Sequence, residues 1–258
     1  MNLQELCSYT ERTVWAGKKD ELGLVANART VVGIVGPNTS VKALGSKHIE
    51  CVRQELKRQG LSGATINRKL AALGKMAAVG YELGEVAAPL RIRKEREGEP
   101  RSRILTQEEQ ALLFSYLPPD YRNFCTFLVN TGLRVGEALR LGADDIQGDT
   151  IRVANTKGGK PRTVPINAEA RMAMSQGRSG TIKQATLNYH FNRAKALSGL
   201  TDKDLVVHSL RHTFASRLVK AGVNLAVVQK LLGHSSIVVT MRYSHLDMVD
   251  LQSAVARI

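Results

Sequence analysis

Four islands in the second half of the chain hold polar residues that could do chemistry together. Arg134 follows a glycine turn in Thr131-Gly-Leu-Arg-Val-Gly-Glu137. Lys157 and Lys160 lie in Thr156-Lys-Gly-Gly-Lys-Pro161. His208 and Arg211 stand three apart in His208-Ser-Leu-Arg-His-Thr213. His234 follows Gly233, and Tyr243 comes nine residues later, in Arg242-Tyr-Ser-His245. Each island alone has an ordinary explanation: an ion pair, solvated lysines, a helical pair, a turn with a cap, a packed ring. Together they suit transesterification at a phosphodiester. Arginine forks hold non-bridging oxygens in bidentate fashion without losing their own protons. A phenol, with a free pKa of about 10, must be deprotonated or hydrogen-bonded to attack. The leaving oxygen needs a proton, and a lysine can supply it.

The surrounding pattern says which elements carry these residues. Thr106 and Glu109 have capping-box spacing before Leu112, Leu113 and Leu117. The run Tyr121–Thr131 is apolar and leads through the Arg134 turn into a helix over Val135–Leu141. Ile151–Ala154 and Thr163–Ile166 alternate and flank the basic turn, which predicts a β-hairpin with Lys157 at its tip. Helices are predicted at Ala168–Met174, Ala185–Ser198, Ser209–Ala221, Leu225–Leu232 and Val238–Arg242. In the first half, Ile49, Val52 and Leu56 mark a helix over Ser46–Gly60. Ile66, Leu70, Leu73, Met76 and Ala77 mark a stronger one over Ser62–Gly84. Its opposite face carries Thr65, Arg68, Lys69 and Lys75, residue types that contact phosphates from a helix. A further helix is read over Asn2–Gly17, while 21–35 and 40–44 give no clear pattern.

The segment Arg91–Arg103 is highly charged, holds Gly98 and Pro100, and has one apolar residue, Ile92. It reads as an interdomain linker with no place in a core. The expected organisation is a helical domain over 1–90, a linker over 91–103 and a second domain over 104–258. The second should be mainly α with a small antiparallel sheet.

The chain has 258 residues, 37 Lys and Arg against 23 Asp and Glu, and a formal net charge of +14. Residues 1–103 carry 18 basic and 11 acidic residues, and 104–258 carry 19 and 12, so each half holds +7. Nucleic acid is the expected partner, gripped by both halves as a clamp. No apolar stretch approaches the ~18–20 residues of a membrane span. The opening MNLQELCSYTER has no secretory pattern. Cys7, Cys51 and Cys125 are scattered, with no metal-ligand spacing, and are read as reduced thiols. No P-loop and no carboxylate cluster suited to magnesium is present.

The sequence resembles the tyrosine recombinases, the phage-integrase family. The motifs are TGLRVGEALRL, TKGGKPRTVPI, HSLRHTFASRLVKAGVNLAVVQKLLGHSS and TMRYSHL, in that order, across nearly the whole second half. GLSGATINRKLAAL gives a looser match to the family's core-binding domain. The resemblance implies that Arg134 and Arg211 clamp the scissile phosphate and that Tyr243 is the nucleophile. Lys157 would be the general acid, ahead of Lys160. His208 would assist proton transfer at the tyrosine, His234 would bond a phosphate oxygen, and Glu137 would support Arg134. His212 and His245 flank these motifs; His48 and His190 are read as structural. No cofactor or metal is implied. The implied partner is double-stranded DNA at a core site, with a homotetramer on two duplexes and an accessory bending protein. The expected location is the cytoplasm, at the nucleoid. The apolar stripe Leu246, Val249, Leu251, Val255 and Ile258 would dock on a neighbouring protomer, as in the family, with packing on its own domain as the alternative. Because the helical pattern starts at Asn2, an arm-binding domain is not expected. Integration or excision of a mobile element is the leading reading. Resolution of chromosome dimers by a Xer-type enzyme, a type IB topoisomerase, and a non-catalytic DNA-binding protein are the alternatives.

Overall fold

The computed structural model describes residues 1–98, 103–154, 161–175 and 182–246. The chain divides into two compact units, Met1–Pro100 and Arg101–Ile258. Each has its own buried cluster. The division falls inside the segment read as a linker.

The first unit is helical. α1 (Leu3–Thr10) opens on Asn2, which accepts from the Glu5 amide while Glu5 accepts from the Asn2 amide. The single helix expected to run to Gly17 instead widens into a π-turn over Glu11–Trp15. Within it, Trp15 reaches the core at 2% exposure. α2 (Glu21–Val35) was illegible because Gly23, Gly33 and the β-branched run Thr30–Val32 are weak helix formers. It forms because Val25, Ala28, Val31 and Val32 are buried, largely against α4. α3 (Ser46–Arg58) buries Ile49, Val52 and Leu56. α4 (Gly63–Glu82) starts from Ser62, which accepts from the Thr65 amide, and buries the apolar stripe read from its spacing.

Residues 91–98 correct one expectation. They form no helix or strand, but Ile92 packs against the core of this unit. Glu95 pairs with Arg53 at 2.8 Å and Lys57 at 3.0 Å. Asn67 donates to the Glu95 carbonyl and accepts from its amide. Two-sided pairing lays this charged strip along α3 and α4.

The second unit is helices around a small sheet. Arg103 anchors its start, donating to Asp202 at 2.9 Å and pairing with Glu109. α5 (Gln107–Ser115) carries the capping box expected at Thr106 and Glu109. α6 (Pro119–Thr131) buries Phe124, Cys125, Phe127, Leu128 and Val129. α7 (Val135–Ala138) follows. The sheet has antiparallel order β1-β2-β3, with β1 Ile146–Gln147, β2 Thr150–Val153 and β3 Arg162–Pro165. The register pairs Ile151 with Val164 and Val153 with Arg162. The expected hairpin is therefore present at β2 and β3, with β1 as a short addition. Its tip, residues 155–160, lies outside the described residues.

α8 (Ala168–Ser175) packs on α6. α9 (Gln184–Leu197), α10 (Ser209–Lys220), α11 (Leu225–Leu232) and α12 (Ile237–Thr240) follow, and a 3-10 segment runs over Met241–Leu246. α10 is shared between two cores. Leu210 joins the main one, while Ala215 and Val219 join a second with Val228, Leu232 and Tyr243. No helix among the described residues is long and apolar enough to cross a membrane.

Candidate active site

Two glycine turns set the frame. α6 ends at Gly132, whose φ of +64° favours glycine. A Cβ there would sit 2.2 Å from the Phe214 ring on α10. α11 ends at Gly233, also at φ +64°, where a Cβ would lie 2.8 Å from Cδ of Arg162. These turns deliver two carbonyls to one side chain. Arg211, 3% exposed, donates from Nη1 to Gly132 O at 2.7 Å and from Nη2 to Leu232 O at 2.6 Å. Burial, then the charge of Arg134, push its pKa down to about 9. It is still a cation at neutral pH.

Arg134 caps α7 and lies beside its own partner. Glu137 Oε2 accepts from the Arg134 amide at 2.9 Å, and Oε1 accepts from Arg134 Nη1 at 2.9 Å. Burial alone would raise the Glu137 pKa. The hydrogen bonds from Arg162 and the Arg134 backbone outweigh it and hold the carboxyl at about 2. Glu137 therefore carries a full negative charge among three arginines, and the site keeps a positive excess.

The histidines form two groups. His234 Nδ1 shares a hydrogen bond with Oγ1 of the fully buried Thr240 at 2.8 Å. His208 and His212 meet edge to face with ring centres 4.9 Å apart. Burial first, then nearby cations, lower all three: His208 and His212 to about 4 and His234 to about 3. Neutral imidazoles at pH 7 follow, each with one accepting nitrogen. Tyr243, 2% exposed, shares a hydrogen bond with His212 Nδ1 at 2.5 Å. Burial raises its pKa, against the pull of Arg242 and Arg211.

Of the residues singled out by sequence, Arg134 and Glu137 are hydrogen-bonded to each other, and Arg211 feels the charge of both. His208 and His234 feel both Arg134 and Arg211, and Tyr243 feels Arg211 and Arg242. The histidine hydrogen-bonded to Tyr243 is His212, and His208 meets that ring edge to face. Lys157 and Lys160 lie outside the described residues, as do the side chains from Leu246 onward. The α4 set divides. Arg68 and Lys75 are exposed. Thr65 is spent in part on the cap with Ser62, and Lys69 donates to Thr30 Oγ1 at 3.1 Å on α2. His48 caps α3 through the Gly45 amide, and His190 stacks on Tyr121, both structural as expected.

Sequence reasoning missed Arg162. The signal was available: strand alternation puts Arg162 on the same face as buried Val164, and an arginine facing inward needs an acceptor. His212 carried a signal as well, standing four residues after His208 on one helix face.

Residues 103–249 match the family model of the phage integrase family. That is more than half of the chain. The chain belongs to the phage integrase family. Among individual members, the integrase of Escherichia phage P2 is 35% identical over 202 residues, covering 77% of this chain and 60% of that protein. The chain thus spans less than two thirds of that integrase. Tyrosine recombinase XerD of Corynebacterium glutamicum is 29% identical over 250 residues, covering 82% of each chain. Tyrosine recombinase XerA of Pyrococcus furiosus is 30% identical over 224 residues, covering 79% of this chain and 77% of that one. The fold has the same company. The crystal structure of a lambda integrase (75–356) dimer bound to a COC′ core site aligns with a TM-score of 0.83 at 18% identity, covering 97% of this chain and 98% of that one. The Tn1549 transposon integrase (82–397), in complex with circular intermediate DNA, aligns with a TM-score of 0.78 at 22% identity, covering 100% and 99%. Within this integrase-family chain, Arg134, Glu137, His208, Arg211, His234 and Tyr243 all fall inside the matched region.

Proposed function

We propose that this protein is a site-specific recombinase that cuts and rejoins DNA through a 3′-phosphotyrosyl intermediate and integrates or excises a mobile element. The observation that carries the reading is the convergence of Arg134 and Arg211 with His234 and Tyr243 in one positively charged, largely buried site. Arg134 and Arg211 hold the non-bridging oxygens of the scissile phosphate, joined by the Nε2 side of His234 while Thr240 holds Nδ1. Tyr243 Oη attacks phosphorus and the P–O5′ bond breaks. The phenol proton leaves toward the His212 and His208 pair. The 5′ oxygen takes a proton from Lys157. A 5′ hydroxyl from a second strand then attacks the phosphotyrosine, restoring the phosphodiester and the phenol. The bond energy stays in the covalent link, so no nucleotide hydrolysis enters the balance. Tyr243 is nearly fully covered in the DNA-free chain, so binding to DNA has to uncover it.

In this reading four protomers act on two duplexes, in the cytoplasm at the nucleoid. Arg68 and Lys75 on α4, with the basic excess of both units, supply affinity for the backbone.

The test uses a library of nicked duplexes with randomised sequence around the nick, a form in which cleavage releases a short strand and cannot reverse. Wild type should yield adducts that survive denaturation and enrich one core sequence. Tyr243→Phe should bind the enriched duplex and yield none. Binding without adducts by wild type would make this a DNA-binding protein without strand-transfer chemistry.

A further inference from the structure

Arg162 has no place in the steps above, yet it is firmly held. Its side chain is 8% exposed. Nη1 donates to Glu137 Oε1 at 3.1 Å and Nη2 to Oε2 at 2.8 Å, a two-pronged grip on the carboxylate. Nε donates to the Leu231 carbonyl at 3.0 Å. With the amide and Nη1 of Arg134, Glu137 accepts four hydrogen bonds. That is about the full capacity of a carboxylate.

Two consequences follow. A carboxylate three residues after an arginine could take both of its prongs and neutralise it. Here Arg162 occupies that fork, and Arg134 gives Glu137 only Nη1 from its guanidinium. Among the described residues no other acceptor holds the Arg134 guanidinium, so the rest of its fork is open to a phosphate. The second arm reaches a different element. Leu231 precedes Leu232, whose carbonyl holds Arg211, and Gly233 and His234 follow directly. Arg162 passes so close to Gly233 that a Cβ there would meet Cδ, Nε and Nη1 within 2.9 Å.

We propose that Arg162 is a positioning residue for strand cleavage. By occupying the Glu137 carboxylate and the Leu231 carbonyl, it keeps Arg134 open to the scissile phosphate and fixes the turn that holds Arg211 and carries His234. Its own donors face protein acceptors, so it acts through these neighbours. The proposal rests on the recombinase reading above.

The test compares the full-length wild type, Arg162→Met and Arg162→Lys on the duplex enriched from the nicked library. A second duplex carries a methylphosphonate in place of the scissile phosphate. The methylphosphonate removes the charge that Arg134 must meet. Arg162→Met should bind the ordinary duplex with an unchanged Kd and form adduct about 100-fold more slowly. On the methylphosphonate duplex most of that loss should vanish, because the neutral centre no longer needs an open Arg134. Arg162→Lys, a point charge without a fork, should fall between. If Arg162→Met fails to fold by circular dichroism, the lysine variant carries the same comparison. A wild-type rate for Arg162→Met, or equal slowing on both duplexes, would overturn the proposal alone. Absence of any wild-type adduct would overturn the recombinase reading and this proposal with it.

Discussion

Glu137 and the three site histidines tie stability to pH in the same direction. Glu137 is held at about 2 against an ordinary 4.5. A lowered carboxyl contributes stability that is complete above 4.5 and disappears as pH falls toward 2. On linkage arithmetic that contribution is roughly 3 kcal/mol. The histidines act earlier. His208, His212 and His234 sit at about 4, 4 and 3 against 6.5, so between pH 6.5 and 4 the unfolded chain takes up protons that the folded chain refuses. Stability should fall on going from pH 7 to 5, ahead of most carboxylate titration. Urea midpoints of the unit starting at Arg101 should show that decline, and His208→Gln should reduce it. A flat midpoint over that range would contradict these neutral histidines. The residue types were legible because chemistry at phosphate demands them. The Tyr243 partner was not. His208 and His212 share a helix face, and only the packing of the 241–246 segment against α10 selects His212.

At the scale of elements, local signals worked wherever a cap or a regular stripe was present, as in α4, α5 and the β2–β3 hairpin. They failed at α2, where tertiary burial overrides poor helix formers, and at the π-turn before Trp15. The linker strip was misread because its charges looked solvated. Their partners, Arg53 and Lys57, lie about 40 residues away in sequence. The glycine turns are the elements on which the site depends. Gly132→Ala would put a methyl group against the Phe214 ring at a left-handed φ. The backbone cost alone is about 1–2 kcal/mol, and the contact adds to it. The variant should unfold at clearly lower denaturant and lose adduct formation, since Gly132 also supplies a carbonyl to Arg211. Gly60→Ala, at φ +70° with open space around it, should cost only the backbone part and spare the chemistry.

At the scale of the whole molecule, the charge total of +14 pointed to a polyanion, and its equal division pointed to two DNA-facing units. The two separate cores fit two folding units, and the second unit carries the match to the phage integrase family. The sequence did not separate cations that face outward from those that hold the protein together. Arg68 and Lys75 are exposed, whereas Lys69 bonds α2. Replacing Arg68 or Lys75 with glutamine should weaken binding across all sequences and lower the slope of log affinity against log salt by about 1 each. Cleavage at saturating DNA should persist. Lys69→Met should instead lower the stability of the first unit.

Strand transfer by the proposed route requires one side chain, Tyr243, to become covalently joined to DNA. The direct measurement is mass spectrometry of the denatured wild-type adduct after nuclease and trypsin digestion. A nucleoside 3′-phosphate is expected on the peptide that begins after Arg242, localised by fragmentation to Tyr243. A nucleotide on any other residue, such as the exposed Tyr189 or Tyr116, or its absence from every peptide, would contradict it.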